Sequence, residues 1–212
     1  MNREIVKQTE SVAQNKPASN MINIAIFASG SGTNAEKLFA KFQNHPQARV
    51  ALLLTNNPKA NVLARAEKHG VPAEIFSRNT LYTTDQVLVT LQDHAIDFIV
   101  LAGFMLKVPS PIIRAFPDRI VNIHPALLPA YGGKGMYGAH VHEAVVAAGE
   151  QQTGISIHYV NEHSDEGRMI LQVSCPVEAH DTAEDVAEKV HRLEHQYYPE
   201  VVEEIIASLP GR

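Results

Sequence analysis

Ile22-Asn23-Ile24-Ala25-Ile26-Phe27-Ala28-Ser29-Gly30-Ser31-Gly32-Thr33-Asn34 is the stretch that decides the fold. Its first seven residues are almost unbroken in apolar character, as a strand covered on both faces of a parallel sheet should be. The turn that follows carries two glycines, and Thr33 or Asn34 then offers a cap for a helix. Strand, glycine turn and helix in that order open a parallel crossover unit. The rhythm repeats along the chain. Apolar runs at 22–28, 50–54 and 97–102 read as buried strands, and the stretches near 34–44, 59–69 and 82–94 read as helices. A further strand is expected at 119–123.

Beyond about residue 137 the pattern changes. A helix near 139–148 precedes two strand-like runs, Gly154–Val160 and Met169–Val177. The polar loop Asn161–Arg168 between them suits an antiparallel connection that carries function. A last helix begins at Thr182, an N-cap with Asp185 three residues on, and shows the apolar stripe Val186, Val190, Leu193 and Tyr197. Pro199 should kink or interrupt it before residues 201–209. The expected fold class is α/β. One domain would hold a mostly parallel, doubly wound, Rossmann-like sheet in its N-terminal half, with antiparallel strands and a long helix in its C-terminal half. Residues 1–20 are polar and aperiodic and read as a disordered N-terminal extension, which leaves 21–212 as the domain.

At 212 residues and 45% hydrophobic content the chain can bury one sizeable core. Its one cysteine, Cys175, lies in the strand-like Val173–Val177 and reads as an inert buried thiol, so a reducing cytoplasm fits. There is no secretory signal and no apolar run of ~20 residues, which argues against a membrane span. A net charge of −5 without a long basic tract argues against general nucleic-acid binding. An anionic small ligand stays open, because local dipoles rather than net charge bind phosphate.

Five strings could carry chemistry. Ser29–Asn34 would cradle an anion on free helix-start amides, though it lacks the full dinucleotide fingerprint and the P-loop lysine, and a plain strand-to-helix turn is the alternative. Asn122-Ile123-His124-Pro125 closes the apolar run from Arg119. On a strand Asn122 and His124 share a face, and Pro125 biases His124 towards extended conformations. His140-Val141-His142, with His158, has the residue types of a metal site, but a helix start at 138–148 would make His140 and His142 diverge. Capping or supporting hydrogen bonds are the simpler reading for those two. Asp165, in Ser164-Asp165-Glu166-Gly167, needs His124 within reach to be more than turn chemistry. Phe104, Met105 and Leu106, just after a buried strand, would wall a flat ligand or pack the core.

Taken together, the strings FASGSGTN, VLAGFM, IVNIHPALLP, GISIHYV and SDEG resemble the phosphoribosylglycinamide formyltransferase family, a folate-dependent formyltransferase family, from about Met21 to Leu209. The resemblance implies transfer of a formyl group from 10-formyltetrahydrofolate, as co-substrate, to the amine of 5-phosphoribosylglycinamide, in purine biosynthesis and without a metal. It implies Asn122, His124 and Asp165 as the catalytic residues. Gly32, Thr33 and Asn34 would cradle the ribotide phosphate, and His191 and Glu194 would contact the rest of the ribotide. Arg78, Met105, Leu106, Lys107 and Val108 would bind folate, together with Asn122, Asn161, Glu162, His163, Ser164 and Asp165. His140, His142 and His158 fall where that family has further site histidines, and a cis bond is implied before Pro129. Two departures stand out. The glycine-rich insert at 132–138 is longer than the family's usual turn, and Lys107 stands where arginine is frequent.

The expected chemistry is an imidazolium at His124 and the Asn122 amide donating to an oxyanion, with Asp165 favouring the charged ring. A related deformylase would be expected to add an N-terminal regulatory domain, for which residues 1–20 are too few, and a tRNA formyltransferase a C-terminal domain. A monomer or a homodimer fits equally.

Overall fold

The opening run forms β1 (Ile22–Phe27), every residue of it buried, and the strand–helix alternation continues as the apolar pattern requires. The computed structural model describes residues 21–133, 135–163 and 165–209. The expectations placed on residues 1–20, on Ser164 and on Lys134 within the insert lie outside them. After β1 come α1 (Thr33–Phe42), β2 (Ala48–Thr55), α2 (Val62–Lys68), β3 (Ala73–Ile75), α3 (Arg78–Thr83), α4 (Gln86–Asp93) and β4 (Phe98–Leu101). The chain continues through α5 (Ser110–Ala115), β5 (Ile120–His124), α6 (Ala139–Ala147), β6 (Gln152–Tyr159), β7 (Met169–Pro176) and α7 (Ala183–Ser208).

The strands make one sheet in the order β3-β2-β1-β4-β5-β6-β7. From β3 to β5 all pairs are parallel, whereas β6 and β7 run antiparallel to their neighbours. The protein is a single α/β domain. Period-two alternation splits the core into two layers. Ile24 and Ile26 of β1, Phe98 and Val100 of β4 and Val121 and Ile123 of β5 pack with α1 and α7. Ala25, Phe27, Ile99, Leu101 and Ile120 pack with α4 and α5 on the other side. The chain moves outward from β1 to β3, then returns to β4 on the far side of β1. Successive connections therefore diverge between β1 and β4, and a crevice opens beyond their carboxyl ends.

Two expectations are corrected. Pro199 does not interrupt α7, which is one helix of 26 residues. Tyr198, Pro199, Val201, Val202, Ile205 and Ile206 are all buried, so packing outweighs the ~3 kcal/mol that an interior proline costs. The span 82–94 is two helices, because the Ser77 hydroxyl accepts from the Thr80 amide at 2.9 Å to start α3 and Thr84 is extended (φ −137°, ψ 163°). β3 and α5 had no sequence signal. β3 is a three-residue edge strand exposed throughout, too short for its alternation to register as a period, and α5 is six residues long. The Thr182–Asp185 capping box forms as expected.

Candidate active site

The crevice is a cleft of about 910 Å³ that runs from the β1–α1 turn, past the ends of β4 and β5, to the β6–β7 loop. At its first end Gly32 adopts φ 73° and caps α1 without any side-chain cap. That leaves the first amides of the helix, at Thr33 and Asn34, on the cleft wall for an anion. A Cβ at Gly32 would lie 2.4 Å from Val62 Cγ2 and 2.9 Å from its Cα. Gly32→Ala therefore combines a left-handed backbone with a backbone clash. It is expected to cost about 1–3 kcal/mol, read as a lower denaturant midpoint at unchanged m; an unchanged midpoint would contradict this reading of the turn. Beyond the turn the Asn34 amide donates to Glu194 Oε2 at 2.8 Å. Burial raises the Glu194 pKa against the opposing pull of Asn34 and His191.

β5 supplies the middle. Asn122 and His124 stand on one face of it, and antiparallel β6 sets His158 opposite Asn122 and Ser156 opposite His124. The His158 Nδ1–H donates to the Tyr159 carbonyl at 2.8 Å, so Nε2 is left to accept from the Asn122 amide at 3.2 Å. Among the described residues, the other Asn122 amide hydrogen has no hydrogen-bond partner. His124, 4% exposed, donates from Nε2 to the Tyr131 carbonyl at 2.7 Å. Its Nδ1 faces Asp165 Oδ1 at 3.9 Å, and His158 Nε2 lies 3.7 Å from the same oxygen. Both separations exceed a hydrogen bond and suit one intervening atom or water. Asp165 sits at φ 59°, unusual for a non-glycine residue, and its Oδ2 accepts from the Gly133 amide at 2.9 Å.

The charge states follow from this packing. Burial pushes the His124 pKa below its ordinary value and outweighs the upward pull of Asp165 and of the Tyr131 carbonyl, while His158 lowers it further. The bond to the Tyr131 carbonyl puts a proton on Nε2 and leaves Nδ1 towards Asp165, so burial works against the charged ring while the carboxylate works for it. Burial alone would raise Asp165, but His158, the Gly133 amide and His124 together hold it below its ordinary value, as a carboxylate. His142 is pushed down to about 4, chiefly by burial and then by His191 and His124.

At the far end Met105, Leu106, Lys107 and Val108 line the cleft with Arg78, whose guanidinium lies 5.4 Å over the Tyr82 ring. Phe104 lines it too and packs edge-on to Phe27 at 5.2 Å. The Ser29 hydroxyl accepts from the Met105 amide at 3.0 Å, tying the β1 and β4 loops together. Asn161, His163 and Asp165 line the cleft; Glu162 instead pairs with Arg114 at 3.5 Å outside it. His142, His158, His191 and Glu194 line it as well, whereas His140 is exposed and pairs with Glu143 at 3.3 Å. His140 and His142 therefore diverge on α6. Among the described residues, no group of three or more His, Cys, Asp or Glu is placed to hold a metal ion, and no helix is long and apolar enough to cross a membrane. The Leu128–Pro129 bond is cis. Sequence reading missed Tyr131 and Gly133, which act here through a carbonyl and an amide that every residue type possesses.

This arrangement can receive an anion at one end, a flat apolar-edged ligand at the other, and a reacting carbonyl between them. A family model described as formyl transferase matches residues 22–202. The phosphoribosylglycinamide formyltransferase of Bacillus subtilis is 34% identical over 191 residues, covering 88% of this chain and 95% of that protein. The chloroplastic phosphoribosylglycinamide formyltransferase of Arabidopsis thaliana is 39% identical over 84% of this chain, which spans 63% of that relative's length. Among solved structures, phosphoribosylglycinamide formyltransferase from Bacillus halodurans superposes with a TM-score of 0.79 at 38% identity, covering 88% of this chain and 96% of that one. With a family description that matches residues 22–202 and a relative 34% identical over most of both chains, the chain belongs to the formyl transferase family.

Proposed function

We propose that the protein transfers the formyl group of 10-formyltetrahydrofolate to the amine of 5-phosphoribosylglycinamide, giving the formylated amide and tetrahydrofolate in purine biosynthesis. The observation that carries this reading is the meeting of Asn122, His124 and Asp165, distant in sequence, around one gap between an anion-ready helix start and an apolar-walled slot. The ribotide phosphate sits on the amides at Gly32, Thr33 and Asn34, with His191 and Glu194 beside its sugar. The pterin and its tail lie along Met105–Val108, Asn161 and His163, with Arg78 for a tail carboxylate. A single cysteine with no disulfide partner in this chain fits a cytoplasmic setting.

In the proposed chemistry the neutral amine attacks the formyl carbon, and the carbonyl electrons move onto oxygen. The free Asn122 hydrogen donates to that oxyanion. The amine, now cationic, yields a proton to His124 Nδ1, the nitrogen not engaged by Tyr131. The Asp165 carboxylate stabilises the imidazolium so formed. As the oxyanion collapses, the carbon–nitrogen bond to the folate breaks and His124 returns the proton to that leaving nitrogen. The protein's own groups supply every proton movement.

The resting charge states set a pH dependence. His124 must begin neutral, so at saturating substrates kcat stays level at and above neutrality. It falls as pH drops through the His124 pKa, which lies below its ordinary value. Asp165 is depressed as well, so its own loss comes at still lower pH. A kcat that declines as pH rises from about 6 to 7.5 would show instead that an imidazolium is needed at the outset. The function itself is tested by incubating the protein with 10-formyltetrahydrofolate with and without the ribotide. Tetrahydrofolate release is expected only with the ribotide; release that ignores it would identify a hydrolase and overturn the proposal.

A further inference from the structure

We infer that Tyr131 is a positioning residue for His124, anchored for that task by Glu150. Four observations converge on it. Tyr131 holds φ 55°, a left-handed conformation that a bulky residue keeps only when its surroundings impose it. Its carbonyl accepts the His124 Nε2 proton at 2.7 Å. Its phenol donates to Glu150 Oε1 at 2.7 Å, while its ring packs on the core layer between the sheet and α7. The Glu150 backbone is tied to the end of α6, where its amide donates to the Val145 carbonyl at 3.3 Å; its carboxylate is exposed. The side chain thus grips α6 while the backbone turns its carbonyl onto the imidazole. That bond commits the Nε2 proton and leaves Nδ1 facing Asp165. Two residues on, the Gly133 amide holds Asp165 Oδ2 at 2.9 Å, so one short segment sets both members of the proton-handling pair.

Glu150 lies outside the cleft, and neither the phenol nor the carboxylate touches a reacting atom. Their effect passes through the orientation of His124, so it should fall on turnover rather than on substrate affinity. The inference rests on the role proposed for His124, and the test keeps the two apart. Tyr131→Phe retains the ring and removes only the phenolic hydroxyl. Glu150→Ala removes the acceptor, and Glu150→Gln keeps an acceptor oxygen in the same place.

Two quantities are measured on the full chain: steady-state kcat and KM for both substrates, and the His124 Nε2 proton in ¹H–¹⁵N spectra. In the wild-type protein that proton should be shifted downfield and exchange slowly with water, because the buried ring holds it in a short bond to the Tyr131 carbonyl. Tyr131→Phe and Glu150→Ala should each weaken or broaden the signal and lower kcat by about tenfold with both KM values unchanged. That is less than the ~10²-fold that a full ångström of misplacement costs. Glu150→Gln should behave as wild type, and the Tyr131→Phe/Glu150→Ala double variant should lose no more than either single one. An unaltered Nε2 signal with wild-type kcat in Tyr131→Phe and Glu150→Ala, alongside a slow His124→Ala, would overturn the anchor and leave the site reading intact. A fast His124→Ala would remove the site reading, and the catalytic part of this inference with it.

Discussion

His124→Ala is expected to lower kcat by about 10²–10³-fold, with the KM for ribotide and folate changed far less. The ring is 4% exposed and donates outward only to the Tyr131 carbonyl, which can be rehydrated once a smaller side chain admits water. Losing it removes the proton acceptor and, after proton uptake, the cation beside the developing oxyanion. General acid–base groups are worth about 10²–10⁴-fold and a single oxyanion-stabilising donor about 10²–10³-fold. Asn122 survives in the variant and keeps part of the second effect, so the lower range is the expected one. Stopped assays of purified variant, with circular dichroism as a check on folding, make the comparison. A folded variant within about threefold of wild type would remove His124 from the reaction.

Asp165→Asn is expected to cost about 10²-fold or more in kcat while leaving the local backbone in place. The new amide oxygen can still accept from the Gly133 amide, and the side chains are the same size, so the left-handed turn at φ 59° is retained. What disappears is the negative charge 3.9 Å from His124 Nδ1. In the wild-type protein that charge raises the His124 pKa against the burial that lowers it. Without it the imidazolium formed during proton transfer loses its counter-charge in a poorly solvated site. The variant should also move the acid limb of kcat to lower pH, since burial and His158 then act on His124 with less opposition. Normal turnover with an unmoved acid limb would show that the carboxylate is a loop-folding device only.

Much of this was written into the sequence, for definite reasons. The parallel half was legible because strands buried on both faces must be apolar throughout, as Ile22–Phe27 is. The shared face of Asn122 and His124 followed from strand geometry, and the divergence of His140 and His142 from helix geometry. The exposed β3 left no trace, because three residues are too few for their alternation to be read as a strand period. Pro199 misled, since local propensity says a break while the buried residues around it hold α7 straight through.

In the cleft, residue type gave the chemistry but not the distances or the charge state. The reach of Asp165 to His124 depends on the turn of the β6–β7 loop, and no local pattern encodes it. The pKa of His124 depends on burial as well as on the Asp165 carboxylate, and burial is not written in any local pattern. The partners that hold these groups, the Tyr131 carbonyl and the Gly133 amide, are backbone atoms and carry no residue-type signal.

The cooperation of His124 with Asp165 is most directly tested by kcat of the His124→Ala/Asp165→Asn double variant. If the carboxylate acts by supporting the imidazolium, removing it from a protein that has no imidazole costs little more, and the double variant turns over about as slowly as the slower single one. A double loss equal to the product of the two single losses would mean that the ring and the carboxylate work independently.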